Sequence, residues 1–450
     1  MSQHSSRQLA FWALKAVHEG TYADVALNRV LKHPTSDVER RLATELLYGC
    51  TRRQRTLDVL IDQFAKKPAH QQPPDLRTLL HIGLYQLRYL EQIPVSAAVN
   101  TTVELAKQNK LSGLSGFVNG LLRRYARQPE DPLELPSKTI QRLGVQHSYP
   151  DWIIEVWLSQ LGEVETELLC NYLNHPPALD IRINTLKTTR SAVQEQLEAD
   201  GIAVEPIAHL PQALRIQDNA GPIPQIPGFK EGLWTVQDAS AQLVGHVLNP
   251  APDSVVIDIC AAPGGKTTHI AELMQGQGKI WACDRTSSRL RKLQQNLTRL
   301  GISNVQQWIG DSRNLPENIP LADALLIDAP CSGLGTLHRH ADARWQQTPQ
   351  KVNELTKLQT ELLAASTQHV KPGGTIVYAT CSLHPEENEQ VIEAFLEHHS
   401  TWTIEAPSQA SALTTWQSPA GWMKVWPHQQ AMDGFFITKL KQKIDQVTQI

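Results

Sequence analysis

Cysteine is scarce in this 450-residue sequence and follows no pattern: six residues, at 50, 170, 260, 283, 331 and 381, with no C-x-x-C pair. That excludes a disulfide framework and a structural zinc site of the paired-cysteine kind. Glycine (25 residues) and proline (28) sit near average usage without a period, which excludes a collagen-like or low-complexity chain. Long apolar runs are missing, none approaching the ~18 residues of a membrane-spanning helix. The opening MSQHSSRQLAFWALKAVHEG lacks the basic-then-apolar build of a secretory leader. The expectation is a soluble, cytoplasmic protein that uses no metal. At ~100–200 residues per domain the length predicts two or three domains, each able to bury a core.

What is present is unevenly placed. Residues 1–128 hold 18 Lys and Arg against 10 Asp and Glu, whereas the remainder holds 24 against 35. A basic first quarter joined to an acidic remainder points to a polyanion contact delegated to the N-terminal part, or to a solvated helical surface. Periodicity makes that quarter all-helical, with five to seven helices. Arg7–Val17, Asp37–Gly49, Leu57–Phe64, Leu76–Leu90 and Ser96–Lys107 carry apolar residues at three- and four-residue spacing, separated by His33-Pro34, Pro68, Pro73-Pro74 and Ile93-Pro94. Arg52, Arg53, Arg55 and Arg123, Arg124, Arg127 fall near helix ends, where the helix dipole alone favours cations.

The Pro-rich, acidic PEDPLELP at 129–136 reads as a linker. Residues 150–236 mix helices (Asp151–Leu161, Val164–Asn174, Arg190–Asp200) with strand-like runs (Leu179–Ile183, Ala213–Ile216, Leu233–Val236), a small α+β module. Its Arg182, Asn184 and Lys187 are placed to face a nucleic acid or solvent. From Ser254 onward strands alternate with helices: strands at Ser254–Cys260, Lys279–Asp284, Val305–Ile309, Ala324–Asp328 and Thr375–Thr380, helices at Thr267–Met274, Ser287–Leu300 and Val352–His369. Repeated βα units imply an α/β fold with a doubly wound parallel sheet. Trp422–Trp426 and Gly434–Leu440 predict an antiparallel hairpin at its end.

The first of these strands runs into DICAAPGGKTTHIAEL, residues 258–273. A glycine turn between a strand's C-terminal end and a helix lets backbone approach a ligand at the edge where open α/β sheets bind them. A P-loop is incomplete, because Cys260 stands at its leading glycine position. A dinucleotide fingerprint is absent, since Gly264 and Gly265 are adjacent rather than spaced. S-adenosylmethionine remains, for which a short glycine turn suffices. Asp284, at the second strand's end, is placed to accept from ribose hydroxyls, and Asp311, after the third, to meet the adenine amino group. Each taken alone also reads as a cap or turn residue.

Two further strands end in cysteines, Asp328-Ala-Pro-Cys331-Ser-Gly-Leu-Gly335 and Ala379-Thr380-Cys381-Ser382. Adjacent parallel strands bring their C-terminal ends to one crevice, so Cys331 and Cys381 are expected at the donor pocket. Cys50, Cys170, Cys283 and Cys260 read as small packing residues. Carbon 5 of a pyrimidine is too weak a nucleophile to attack a sulfonium methyl. A thiolate adding at carbon 6 makes it enamine-like, and a base must then remove the carbon-5 proton. Cys381, Cys331 and Asp328 suit these parts, and spacing does not say which cysteine attacks.

AAPGGKTTHIAE, DAPCSGLG and ATCSLHPEENE, in this order, resemble the donor-binding, fourth and sixth motifs of the RNA cytosine-5 methyltransferases (the Nol/Nop/Sun family). Arg182-Ile-Asn184 and Val236-Gln-Asp-Ala-Ser240 are similar to further elements, so the resemblance covers residues 175–440. The basic helical region, with Gly116-Phe-Val-Asn-Gly-Leu-Leu-Arg-Arg124, resembles the NusB-like RNA-binding fold. Together they resemble the Sun/Fmu-type bacterial branch, which methylates a cytosine of 16S ribosomal RNA. The resemblance implies an all-α NusB-like domain over 1–135, a ferredoxin-like RNA-facing module over 145–240 and a Rossmann-like catalytic domain over 241–445.

By the same resemblance Cys381 is the nucleophile and Cys331 serves product release, the reverse of the DNA cytosine-5 enzymes. Donor contacts fall on Cys260, Ala261, Ala262, Pro263, Gly264, Gly265 and Lys266, with Asp284, Asp311 and Asp328, and Lys266 supports the site by pairing with Asp328. The catalytic motifs leave tRNA open as the substrate, and a non-catalytic assembly factor is the rival outside enzymes. Intact Cys331, Cys381 and glycine loop argue against that rival.

Overall fold

The helical spacing of the first quarter is realised as seven α-helices among the described residues: Ser6–His18, Ala23–Val30, Asp37–Arg52, Gln54–Phe64, Pro74–Tyr89, Val95–Gln108 and Ser115–Ala126. The computed structural model describes residues 4–33, 35–217, 220–407 and 412–443. Pro34 of the His33-Pro34 turn signal, residues 1–3 and the last two residues of the third expected domain lie outside them. Ser5 and Ser36 cap their helices by accepting from the amides of Gln8 and Glu39, and Pro74 occupies a first turn where no amide is needed. The periodic apolar positions meet in one core in which Leu9, Leu14, Leu46, Leu57 and Leu79 are fully buried. Each such leucine contributes ~1.5–3 kcal/mol relative to an exposed one.

The chain forms two units, Met1–Pro176 with Leu337–Gln347, and Pro177–Thr336 with Thr348–Ile450. In the first, the helices continue through Thr139–His147 and Asp151–Tyr172, the latter broken at Gly162, whose φ of 74° no α-helix accommodates. The inserted segment Leu337–Gln347 is sewn into this unit by Arg344. Its guanidinium is fully buried, lies 4.1 Å from the Tyr149 ring centroid and donates to the carbonyls of Arg52 and Ser148 at 3.2 and 3.1 Å and to Asn174 Oδ1 at 3.0 Å. Burial pulls its pKa down to about 10. The Arg52–Arg55 cluster is largely structural: Arg52 is buried, and Arg55 pairs with Asp151 at 2.6 Å. Arg123, Arg124 and Arg127 are exposed.

The second unit carries two sheets. β1 (Leu179–Ile183), β2 (Val204–Pro206), β3 (Ala213–Ile216) and β4 (Trp234–Val236) form an antiparallel sheet in the order β2-β3-β1-β4, backed by the helix Arg190–Ala199. The larger sheet contains β5 (Val255–Ile259), β6 (Lys279–Asp284), β7 (Val305–Ile309), β8 (Ala322–Asp328), β9 (Val370–Thr380), β10 (Trp402–Ile404), β11 (Met423–Val425) and β12 (Phe435–Gln442). Its order is β10-β12-β9-β8-β5-β6-β7, with β11 paired to β12. The five strands from β5 to β9 are mutually parallel, and β12 runs antiparallel to β9 and β11, giving the expected terminal hairpin. Near-continuous apolar runs such as VVIDI and ALLID follow from helices covering both faces. The parallel connections place the C-terminal ends of β5, β6, β8 and β9 along one edge of the sheet.

Candidate active site

The glycine turn after β5 is shaped by contacts from both neighbouring segments. Cys260 adopts φ 64°, the Ala262–Pro263 peptide is cis, and Gly264 has φ 102°. The positive φ favours glycine at 264, and a Cβ there would meet Leu293 Cδ1 at 2.2 Å and force that side chain to shift. Asp284, at the end of β6 and 2% exposed, accepts from the Ala262 amide at 3.3 Å and the Thr286 amide at 2.8 Å. Arg289 donates to the Ala262 carbonyl and lies 3.5 Å from Asp284. Thr267 Oγ1 donates to Asp258 Oδ2 at 2.6 Å. Burial nevertheless pushes the Asp258 carboxyl up to about 7, assisted by the charges of Asp328 and Asp284.

Beside this turn lies a cleft whose wall includes Cys260, Asp284, Gly310, Asp311, Pro330 and Leu362. Asp311 is held at about 2 by hydrogen bonds from Arg313, whose Nη2 lies 2.5 Å from Oδ2. Arg289, Leu358 and Leu362 were not singled out from the sequence. The two leucines are one helical turn apart on Pro349–Ser366 and carry no chemical signal.

The ends of β8 and β9 bring the two cysteines together: Cys331 Sγ and Cys381 Sγ are 3.4 Å apart and both residues are partly exposed. The Cys331 thiol is pushed well above its usual range by the hydrogen bond with Cys381, then by burial and by the proximity of Cys381 and of the Glu387 carboxylate. Lys266 Nζ reaches Asp328 Oδ1 at 2.7 Å and lies 4.9 Å from the Phe435 ring centroid. Burial opposes its charge, and the Asp328 carboxylate more than offsets this, raising its pKa. The Cys331 loop is pinned where Gly335 N–H donates to the Cys381 carbonyl at 2.9 Å and Gly335 O accepts from Gly434 N–H at 2.9 Å. A Cβ at Gly335 would sit 2.1 Å from the Gly434 oxygen. Cys50, Cys170 and Cys283 are buried, as packing residues should be.

Arg182 and Asn184 face neither nucleic acid nor solvent. Arg182 is fully buried in a two-pronged pair with Glu272, at 2.8 Å on each prong, and donates to the Gly265 carbonyl at 2.7 Å. Asn184 is buried and donates to the carbonyls of Gly232 and Leu300, each at 2.9 Å. Lys187 is exposed, but its Nζ donates to the carbonyls of Glu231 and Arg299. These polar groups stitch the small sheet to the helices of the donor turn and of Ser287–Leu300, because buried donors need internal acceptors.

A Synechocystis protein named probable ribosomal RNA small subunit methyltransferase B is 50% identical over 443 residues, covering 97% of this chain and 99% of its own. Residues 245–441 match the family described as 16S rRNA methyltransferase RsmB/F. The chain belongs to this family of rRNA methyltransferases. The enzyme also matches the NusB family over residues 4–127 and the RsmF/B-like ferredoxin-like domain over residues 149–222. Its fold is shared with the crystal structure of PH0851, at TM-score 0.81 and 28% identity over 98% of this chain and 100% of that one. NSun6 from Pyrococcus horikoshii, solved with SFG, is similar over 66% of this chain and 100% of its own, at TM-score 0.59 and 25% identity. Among the described residues no helix is long and apolar enough to cross a membrane, and no group of three His, Cys, Asp or Glu side chains is arranged to hold a metal ion.

Proposed function

We propose that the enzyme transfers a methyl group from S-adenosylmethionine to carbon 5 of a cytosine in 16S rRNA, through a covalent bond between Cys381 and the base. The observation that carries this reading is the pair of thiols 3.4 Å apart at the ends of β8 and β9, beside the Lys266–Asp328 pair. When bound, S-adenosylmethionine supplies an electrophilic sulfonium methyl. The cleft fits such a donor, because Asp284 and Asp311 stand at its wall and the glycine turn lets backbone approach. The names of its relatives support small-subunit rRNA as the substrate.

Cys381 Sγ adds to carbon 6 of the cytosine while Asp328, backed by Lys266, holds the N3/N4 edge. The new S–C bond makes carbon 5 the nucleophile for the methyl group. It also removes the Cys381 charge that helps keep Cys331 protonated. Cys331 then loses its proton to solvent and takes the carbon-5 proton, and elimination breaks the S–C6 bond to restore the Cys381 thiolate. We assign RNA anchoring to the helical part (1–135), with exposed Arg123, Arg124 and Arg127, an RNA-facing role to the module over 145–240 through residues other than the buried Arg182 and Asn184, and chemistry to 241–445. The site of action would be the cytoplasm.

Incubation with methyl-labelled S-adenosylmethionine and 16S rRNA should place label on one cytosine, mapped by bisulfite sequencing. RNA affinity should fall as salt rises, since phosphate contacts release counterions. Label on tRNA alone would redirect the substrate assignment, and no label on any RNA would sink the reading. Asp284→Ala should weaken donor binding roughly 10- to 150-fold, from the loss of charge-assisted bonds at ~1.5–3 kcal/mol. Donor titration checks this, and unchanged affinity in a folded variant would leave Asp284 as a brace for the Ala262 and Thr286 amides only.

A further inference from the structure

We propose that Glu387 is the positioning residue of the two-cysteine site, a buried carboxylate that ties the Cys331 loop to the Cys381 loop and fixes the gap between their sulfurs. The proposal rests on the cysteine reading above and adds what holds that pair in place. Glu387 ends the short turn Pro385–Glu387 and is fully buried. Its Oε1 accepts from the Ser332 amide at 2.7 Å and from Gln359 Nε2 at 3.2 Å. Its Oε2 accepts from the Ser382 hydroxyl at 2.5 Å and from the Ser332 hydroxyl. Ser332 and Ser382 are the residues immediately after the two cysteines, so one side chain grips both loops one residue from the reacting sulfurs.

Chemistry explains why a carboxylate occupies the position. Four donors converge on two oxygens, and only an acceptor-only group satisfies all four without offering a hydrogen of its own. A buried carboxylate without such partners would be strongly disfavoured. The turn that presents it is itself held, since Tyr378 donates to the Glu387 carbonyl at 2.6 Å and Asn388 Nδ2 donates to the Ser382 carbonyl at 2.9 Å. The carboxylate's charge also disfavours ionisation of Cys331, so it bears on which sulfur is the thiolate as well as on where both sit.

The test uses the full-length protein and reads geometry and turnover separately. Diamide takes two hydrogens from a close thiol pair and leaves a disulfide, and mass spectrometry of the Cys331–Cys381 cross-link gives its rate without any RNA. Glu387→Ala should cross-link at least ~10-fold more slowly than wild type. Its kcat for methyl transfer should fall ~100-fold while the donor KM stays within about twofold, as for misplacement by about an ångström. Glu387→Gln keeps one acceptor oxygen for the Ser332 amide and Gln359 Nε2, lets its amide donate to the two serine hydroxyls once these turn to accept, and loses the charge. It should cross-link near the wild-type rate, and in a Cys381→Ala background its Cys331 should be alkylated by iodoacetamide at lower pH. Should Glu387→Ala fail to fold, the double variant Ser332→Ala/Ser382→Ala cuts the hydroxyl ties and should show the same slow cross-linking.

Wild-type cross-linking and kcat in a folded Glu387→Ala or in the double serine variant would overturn the brace. An unmoved Cys331 alkylation profile in Glu387→Gln would overturn the charge role. Failure of the cysteine reading looks different: wild type would cross-link rapidly, the variants slowly, and no RNA would be methylated by any of them.

Discussion

Cys331→Ala, mixed with 16S rRNA and S-adenosylmethionine, should accumulate a protein–RNA adduct that survives denaturing electrophoresis, whereas Cys381→Ala should form none. Turnover is lost in both variants, but at different steps. Without Cys381 no sulfur adds to carbon 6, so RNA binds only reversibly and methylation falls below detection. Without Cys331 the addition and methylation proceed and the carbon-5 proton stays, so release slows ~10²–10⁴-fold, the range for a missing general base. The hydrogen bond with Cys381, burial and Glu387 oppose ionisation of Cys331, and two sulfurs 3.4 Å apart do not readily ionise together, so the adduct experiment decides which one attacks. An adduct in Cys381→Ala and none in Cys331→Ala would reverse the two roles. Adducts in neither would remove the covalent step altogether.

The sequence was most legible where periodicity and turn residues coincide. β6, the helix Ser287–Leu300 and β7 run over the residues expected of them, because strand runs and an amphipathic helix alternate there between glycine and asparagine turns. Helix Ala239–Leu248 left no such trace: eight of its ten residues are buried, so no polar face marks its period. β10 is three residues long and exists by pairing with β12. The cysteine loops were legible because strand ends of a parallel sheet converge by topology, which needs no side-chain detail. Arg182 was misread because its partner Glu272 lies 90 positions away, and an isolated arginine on a short strand carries no sign of a buried acid. Glu387 stood inside a quoted motif, but its grip on two loops is a property of the fold and not of the motif's spelling.

The Arg182–Glu272 pair carries the second large effect: Arg182→Ala should cost ~3–5 kcal/mol of unfolding free energy, the range for removing one partner of a buried ion pair. Both side chains are fully buried, and burial already pushes the Glu272 carboxyl upward against the pull of Arg182. Truncation leaves that carboxylate without its two 2.8 Å donors and removes the arginine's hydrogen bonds to the Gly265 carbonyl and Thr268 hydroxyl, on the helix that follows the donor turn. Donor affinity should therefore drop along with stability, while RNA affinity per folded molecule should not, since Arg182 presents nothing to solvent. Urea unfolding of the variant reads the first effect, and donor and RNA titrations read the others. The double variant Arg182→Met/Glu272→Leu removes the stranded charge and should regain most of the stability, because apolar replacement of a buried pair is often neutral. It should not regain donor affinity, because neither Met nor Leu can donate to the Gly265 carbonyl. An Arg182→Ala protein as stable as wild type but weak in RNA binding would return Arg182 to the RNA-facing role its position in the sequence suggested.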